Sequence, residues 1–175
     1  MPNNTYTLTT PTSFLADFKT VTKMGLSISV VFSSLAGYLL AAEIVNFTTL
    51  LLLAVGGYFM VGASNVFNQI IERDLDALMD RTKNRPIPTG RMSVTFAFAL
   101  AVTLAVVGLS ILYSINERTA MFGAISICLY TSAYTPLKTK TPLSVFVGAI
   151  PGAIPFMLGW VAATGKFGIE PGVLF

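Results

Sequence analysis

The chain of 175 residues contains no histidine. That excludes Ser–His and Cys–His nucleophile pairs and every zinc site built on imidazole. Its one cysteine, Cys128, lies inside an apolar run without a partner for a disulfide or a thiolate metal site, so it reads as a small core or lipid-facing residue. Charge is scarce as well: 11% of residues are charged, against about 25% in soluble domains. No Walker-type glycine loop is present, and no small-residue cleavage site follows the first apolar run, so a cleaved signal peptide is not expected. What remains is apolar: 54% of residues are hydrophobic and the mean hydropathy is +0.73. This composition predicts an all-α fold, a polytopic transmembrane helix bundle, because helices satisfy their own backbone polar groups in lipid.

Five spans are expected, near residues 25–42, 49–71, 94–113, 120–134 and 143–163. Most reach the roughly 20 residues that cross a bilayer; the fourth is short. Residues 1–13 read as a disordered tail and 14–175 as one transmembrane domain. Within the latter, 14–23 (FLADFKTVTK) suits a short helix on the membrane surface. Lys19, Lys23, Arg73, Arg81, Lys83, Arg85, Arg91, Lys138 and Lys140 fall on one side of this topology, and only Arg118 and Lys166 on the other. The positive-inside rule puts the N-terminus and the 72–93 loop in the cytoplasm, which implies an inner (cytoplasmic) membrane protein. Small residues in spans one and two, from Ser33 to Gly37 and from Gly56 to Ser64, predict tight helix packing. In span five, Pro151 and Pro155 predict a bend that either opens a cavity or fits a curved neighbour. Trp160 is placed to anchor the far interface.

One passage stands apart. Residues 65–91, NVFNQIIERDLDALMDRTKNRPIPTGR, hold nine of the nineteen charged residues. Asn68, Glu72, Asp76 and Asp80 recur every fourth residue, so a continuous helix would carry them on one face. Arg81, Lys83, Arg85 and Arg91 follow at once. Oxygen ligands beside a basic cluster suit a magnesium-bridged phosphate, in which carboxylates hold the ion and guanidinium forks take the remaining charge. A solvated loop with helix-spaced ion pairs explains the same charges. Asn65, Asn68 and Gln69 favour the functional reading, because uncharged amides in or beside an apolar span need partners. A second basic patch, Tyr134 to Pro142, shares the predicted side.

Asn68, Glu72, Arg73 and Asp76, followed by RTKNRP from Arg81 to Pro86, resemble the first acidic signature of the UbiA-type intramembrane prenyltransferases. The stretches TKMGLSISVVFSSLAGYLLA and YTPLKTKTPLSVFVGAIPGAIPFMLGW are similar to the branch of that family that farnesylates haem b, and the likeness extends from about Phe14 onward. It implies transfer of farnesyl from farnesyl diphosphate to a vinyl carbon of haem b, with Asn68, Glu72 and Asp76 holding Mg²⁺. It implies diphosphate contacts from Lys23, Arg81, Arg85, Tyr134 and Lys138. Two positions depart from the pattern: Glu72 stands where the family usually has aspartate, and Met24-Gly25 where it often has Pro-Arg. Members of the family have about nine spans and a second acidic signature; five spans and one signature imply an N-terminal portion, not expected to turn over alone. Other acceptors, a quinone precursor or chlorophyllide, and a different class of protein, half of a secondary transporter, remain as alternatives.

Overall fold

The computed structural model describes residues 13–138, 141 and 143–168. Residues 1–12 of the expected tail, and Lys140, lie outside them. Among the described residues all regular structure is helical. Helix α1, Phe14–Val21, starts at Ser13, whose hydroxyl accepts from the Ala16 amide. A two-residue turn leads into α2, Met24–Ala41. Asn46 then caps α3, Phe47–Ile71, by accepting from the Thr48 and Thr49 amides at 2.9 and 3.2 Å. Helix α4, Arg73–Leu78, follows directly. Ser93 caps α5, Val94–Ile115, and Asn116 caps α6, Glu117–Cys128. The α6 axis continues through a π-helical stretch, Leu129–Tyr134, into the single turn α7, Thr135–Leu137; α8 is Ser144–Thr164.

Five segments are long and apolar enough to cross a membrane: α2, α3, α5, the continuous run Glu117–Leu137, and α8. The fourth, expected at 120–134, reaches 21 residues because α6 starts at Glu117 and α7 carries the run on to Leu137. This is a multi-pass membrane protein. Helix α3 packs mainly on α5, and α2 mainly on α8. At the second seam, backbones touch. A Cβ on Gly37 would fall on the Phe156 carbonyl oxygen, and one on Gly159 on the Ser34 carbonyl oxygen. The small residues thus do what their spacing predicts, letting two helices meet without side chains between them.

Two clusters of buried apolar residues divide the bundle. One, around Tyr38, Leu53, Leu112, Leu158 and Val161, fills the end near the α2–α3 and α5–α6 turns. The other joins Val21, Val66, Ala97 and Ala101 to Ile87 and Met92 of the loop after α4. That second cluster pins an otherwise polar loop against the spans. Charges segregate likewise. Arg118 donates to the Gly165 carbonyl at one end, whereas Lys23, Glu72, Asp76, Arg85 and Lys138 gather at the other.

Candidate active site

The expected four-residue acidic comb is a three-residue one. Helix α3 ends at Ile71, where Glu72 takes φ −96° and ψ 4°. Helical hydrogen bonds nevertheless bridge the break, from Glu72 N to Asn68 O (3.0 Å) and from Asp76 N to Glu72 O (2.8 Å). Asn68, Glu72 and Asp76 therefore stay on one face, all buried. Helix α4 stops at Leu78, so Asp80 leaves that face; its carboxylate is 97% exposed and pairs with Lys83 at 2.6 Å. The chain turns there because the buried Thr82 hydroxyl donates to the Asp76 carbonyl at 3.0 Å, folding the following loop back over α4. That fold-back delivers Arg85, whose guanidinium lies 2.6 Å from Asp76 Oδ2.

Lys138 arrives from the far end of the fourth span. Its ammonium sits 2.6 Å from Glu72 Oε1 and donates to Asn68 Oδ1 at 3.1 Å. The other amide group of Asn68, Nδ2, donates to Glu72 Oε2 at 2.9 Å. Asn68, Glu72, Asp76, Lys23, Arg81, Arg85 and Lys138 line one cavity of about 620 Å³. Seven of the eight sequence-expected site residues thus converge. Tyr134, the eighth, lies in the wall of a neighbouring apolar cavity of about 440 Å³. Its ring stands 5.3 Å from that of Tyr130 and 5.6 Å from the Lys138 ammonium. The two cavities meet at Leu26, which lines both. Gly148, Pro151, Gly152 and Pro155 line the apolar one. Pro151 and Pro155 thus border the cavity, while Phe156 beside them packs against Gly37 of α2.

Lys23 has the least ordinary backbone at the site. It adopts φ 48° and ψ 56°, the left-handed region, which costs about 1–2 kcal/mol for a residue other than glycine. Hydrogen bonds hold the turn around it. Gln69 Nε2 donates to Val21 O at 2.8 Å, Asn65 Nδ2 to Thr22 O at 3.2 Å, and Ser27 Oγ to Thr22 O at 2.8 Å. At about 0.5–1.5 kcal/mol each, these outweigh the strain. Burial pushes the Lys23 ammonium below its usual pKa, and the Arg85 and Lys138 charges push the same way; Glu72 and Asp76 partly oppose them. An amine so placed among cations gains when an anion enters.

Among the described residues no three histidine, cysteine or carboxylate groups converge; the donor set is one amide and two carboxylates. It fits magnesium nonetheless. All its donors are oxygens on one helical face, and a hard ion held by few protein ligands keeps waters or phosphate oxygens for the rest. Lys138 illustrates the fit, since its ammonium already bridges Asn68 Oδ1 and Glu72 Oε1.

Two contributors, Thr135 and Asp17, carry no local sequence signal, and Arg91 of the basic cluster has a different partner from the one its charge suggested. Thr135 is buried and donates to Asn68 Oδ1 at 3.2 Å across 67 positions. Asp17 and Arg91, 74 positions apart, pair at 3.1 Å and tie α1 to the loop that bears Arg85. Asn65 and Gln69 stood out as amides in an apolar helix, yet their partners became visible only with the fold.

The model of the UbiA prenyltransferase family matches residues 30–175. The chain is 72% identical over 163 residues to a protoheme IX farnesyltransferase of Christiangramia forsetii, covering 93% of this chain and 54% of that protein. A protein of the same name from Flavobacterium psychrophilum is 70% identical, with 93% and 55% covered. The chain spans about half the length of the curated relatives it matches. Among solved structures, a digeranylgeranylglyceryl phosphate synthase superposes with TM-score 0.81 at 22% identity, over 91% of this chain and 56% of that one. A UbiA homologue from Archaeoglobus fulgidus bound to DMAPP and Mg²⁺ superposes with TM-score 0.80 at 17% identity, over 90% and 58%. At such identities the likeness is one of fold.

Proposed function

Because the chain belongs to the UbiA prenyltransferase family, we propose that it forms the diphosphate-binding half of an enzyme that transfers farnesyl from farnesyl diphosphate to a vinyl group of haem b. One observation carries this reading: a basin lined by two carboxylates, an amide and four cationic side chains adjoins an apolar cavity at Leu26. A diphosphate head and an isoprenoid tail need those two environments side by side. The relatives support haem b as the acceptor, since two of them bear the name protoheme IX farnesyltransferase at 70% identity or more.

Asn68, Glu72 and Asp76 would hold Mg²⁺. When bound, the ion supplies positive charge to the diphosphate oxygens. Arg85 and Lys138 are held beside those ligands by their ion pairs. They can transfer to phosphate oxygens, and Lys23 and Arg81 line the same basin. Together these cations stabilise pyrophosphate as the C1–O bond breaks, and they are worth most where charge develops. The farnesyl C1 then carries allylic cation character, and the electron-rich vinyl carbon bonds to it. Water adds to the adjacent carbon and releases a proton, which leaves a hydroxyethylfarnesyl side chain. The apolar walls, from Leu26 and Val30 to Tyr134 and Pro155, keep water from the cation until the new carbon–carbon bond has formed. The basin faces the cytoplasm in this reading, in the cell's inner membrane, with the bilayer around the spans.

The test is a chimera in which residues 14–175 replace the matching part of the Christiangramia forsetii relative. Membranes carrying it receive farnesyl diphosphate, Mg²⁺ and either haem b or 4-hydroxybenzoate. Farnesylated haem, seen by mass, is the expected product. Prenylated 4-hydroxybenzoate alone would reassign the acceptor, and no product from either, beside an active parent, would overturn the reading.

A further inference from the structure

Asn65 and Gln69 lie on α3 next to Asn68, yet their amides turn away from the metal-ligand face. Both grip the end of α1. The last carbonyls of a helix lack partners within it; here those of Val21 and Thr22 take side-chain donors, whereas Thr20 O already accepts from Lys23 N at 3.2 Å. Gln69 Nε2 donates to Val21 O at 2.8 Å and reaches Thr20 O at 3.4 Å. Asn65 Nδ2 donates to Thr22 O at 3.2 Å and to Ser27 Oγ at 3.3 Å. Ser27 closes the ring by donating to Thr22 O at 2.8 Å. All three side chains are buried. Gln69 Oε1 is the one buried side-chain polar atom without a hydrogen-bond partner among the described residues. Turning that amide over would set its oxygen against the carbonyls of Thr20 and Val21, so its orientation is dictated by them. A buried oxygen left alone is a cost a fold avoids unless the donor side is needed.

What the clasp holds is the left-handed residue Lys23, the next in the chain. Released from the clasp, that backbone has every reason to relax into the helical or extended regions, and its side chain would swing off the basin it lines. The geometry points to Asn65 and Gln69 as positioning residues that hold Lys23 in its left-handed turn, so that its ammonium meets the diphosphate. This rests on the proposed diphosphate reading of the basin. It adds that the same helix, α3, serves two faces at once. Asn68 presents an oxygen donor to the basin, while Asn65 and Gln69 set the turn that carries Lys23.

The test uses the full chain in lipid nanodiscs, with Asn65→Leu, Gln69→Leu and Lys23→Met, singly and combined. Hydrogen exchange at residues 20–24 reads the clasp without ligand. Titration with farnesyl diphosphate in Mg²⁺ reads its consequence. Each leucine variant is expected to speed exchange at the turn while α5 stays protected, and to weaken binding about three- to tenfold. Lys23→Met is expected to weaken binding about tenfold, as the loss of one charged hydrogen bond does. In the Lys23→Met background the leucine changes should add almost nothing, because residues acting through a shared partner are not additive. Where a leucine variant loses α5 protection, Asn65→Ala and Gln69→Met take its place. Unchanged exchange at the turn overturns the proposal. So does weakening that persists in full in the Lys23→Met background, which would mean that the amides meet the ligand directly. Absence of binding by the unaltered chain, or unaltered binding by Lys23→Met, strikes the diphosphate reading itself and removes any role for the clasp with it.

Discussion

At the scale of single residues, two aspartates four positions apart separate a site from a charged surface. Asp76 is buried and paired with Arg85; Asp80 is exposed and paired with Lys83. Neutralising one member of a buried pair strands the other, at about 3–5 kcal/mol, whereas exposed pairs are worth about 0–1 kcal/mol. Asp76→Asn should therefore lower Mg²⁺-dependent binding of farnesyl diphosphate by at least about tenfold and also lower the melting temperature. Asp80→Asn should change binding by less than about twofold. Isothermal titration of both variants checks this, and equal losses would mean that the basin has been misplaced. Chelation supplies the companion experiment. With EDTA present, binding should fall for the unaltered chain and change little for Asp76→Asn, which has already lost a ligand. The recurrence of Asn68, Glu72 and Asp76 was legible in the sequence because a four-residue repeat survives a small break between helices. The loss of Asp80 was not, because the stop at Leu78 is set by Thr82 reaching back to the Asp76 carbonyl, a contact with no periodic signature.

At the scale of elements, the seam between α2 and α8 sets how the two walls of the apolar cavity face each other. In lipid, helices associate through close packing rather than through hydrophobic burial, so the Gly37 and Gly159 contacts carry much of that seam. A methyl group at either position meets a carbonyl oxygen of the facing backbone, and backbone cannot turn aside as a side chain does. Gly37→Ala and Gly159→Ala should each cost about 1–3 kcal/mol, read as a fall in melting temperature in detergent of several degrees. Gly152, on the same helix as Gly159, has nothing within 4 Å of the added carbon. Gly152→Ala should melt at the same temperature or slightly higher, since alanine favours the helix. If all three behave alike, the seam does not depend on close approach. Helix positions were readable from hydropathy to within a few residues, as α3 at Phe47–Ile71 against an expected 49–71 shows. The fourth span runs three residues further at each end than the expected 120–134, because Glu117 to Thr119 and the turn Thr135 to Leu137 look like loop text although they continue the same helix.

At the scale of the whole molecule, the two ends of the bundle differ in charge, and that difference predicts orientation. By the sequence, nine of the eleven lysines and arginines are expected on the side of the 72–93 loop. Those the structure describes include Lys23, Arg85, Arg91 and Lys138, whereas Arg118 and Lys166 lie at the opposite end, beside Gly165. Basic loops are retained on the cytoplasmic side. A soluble diphosphate made in the cytoplasm would then reach the basin without crossing the bilayer. Cys128 is exposed on the outside of a span, so replacing it with serine gives a background for single reporters. In that background Lys83→Cys, in the exposed loop after α4, and Glu117→Cys, at the α5–α6 turn, mark the two ends. A membrane-impermeant maleimide added to intact cells should label Glu117→Cys and spare Lys83→Cys until the membrane is opened. The reverse pattern would turn the basin outward. The diphosphate would then have to be delivered on the far side of the membrane, and the charge asymmetry of the loops would need a cause other than retention during insertion.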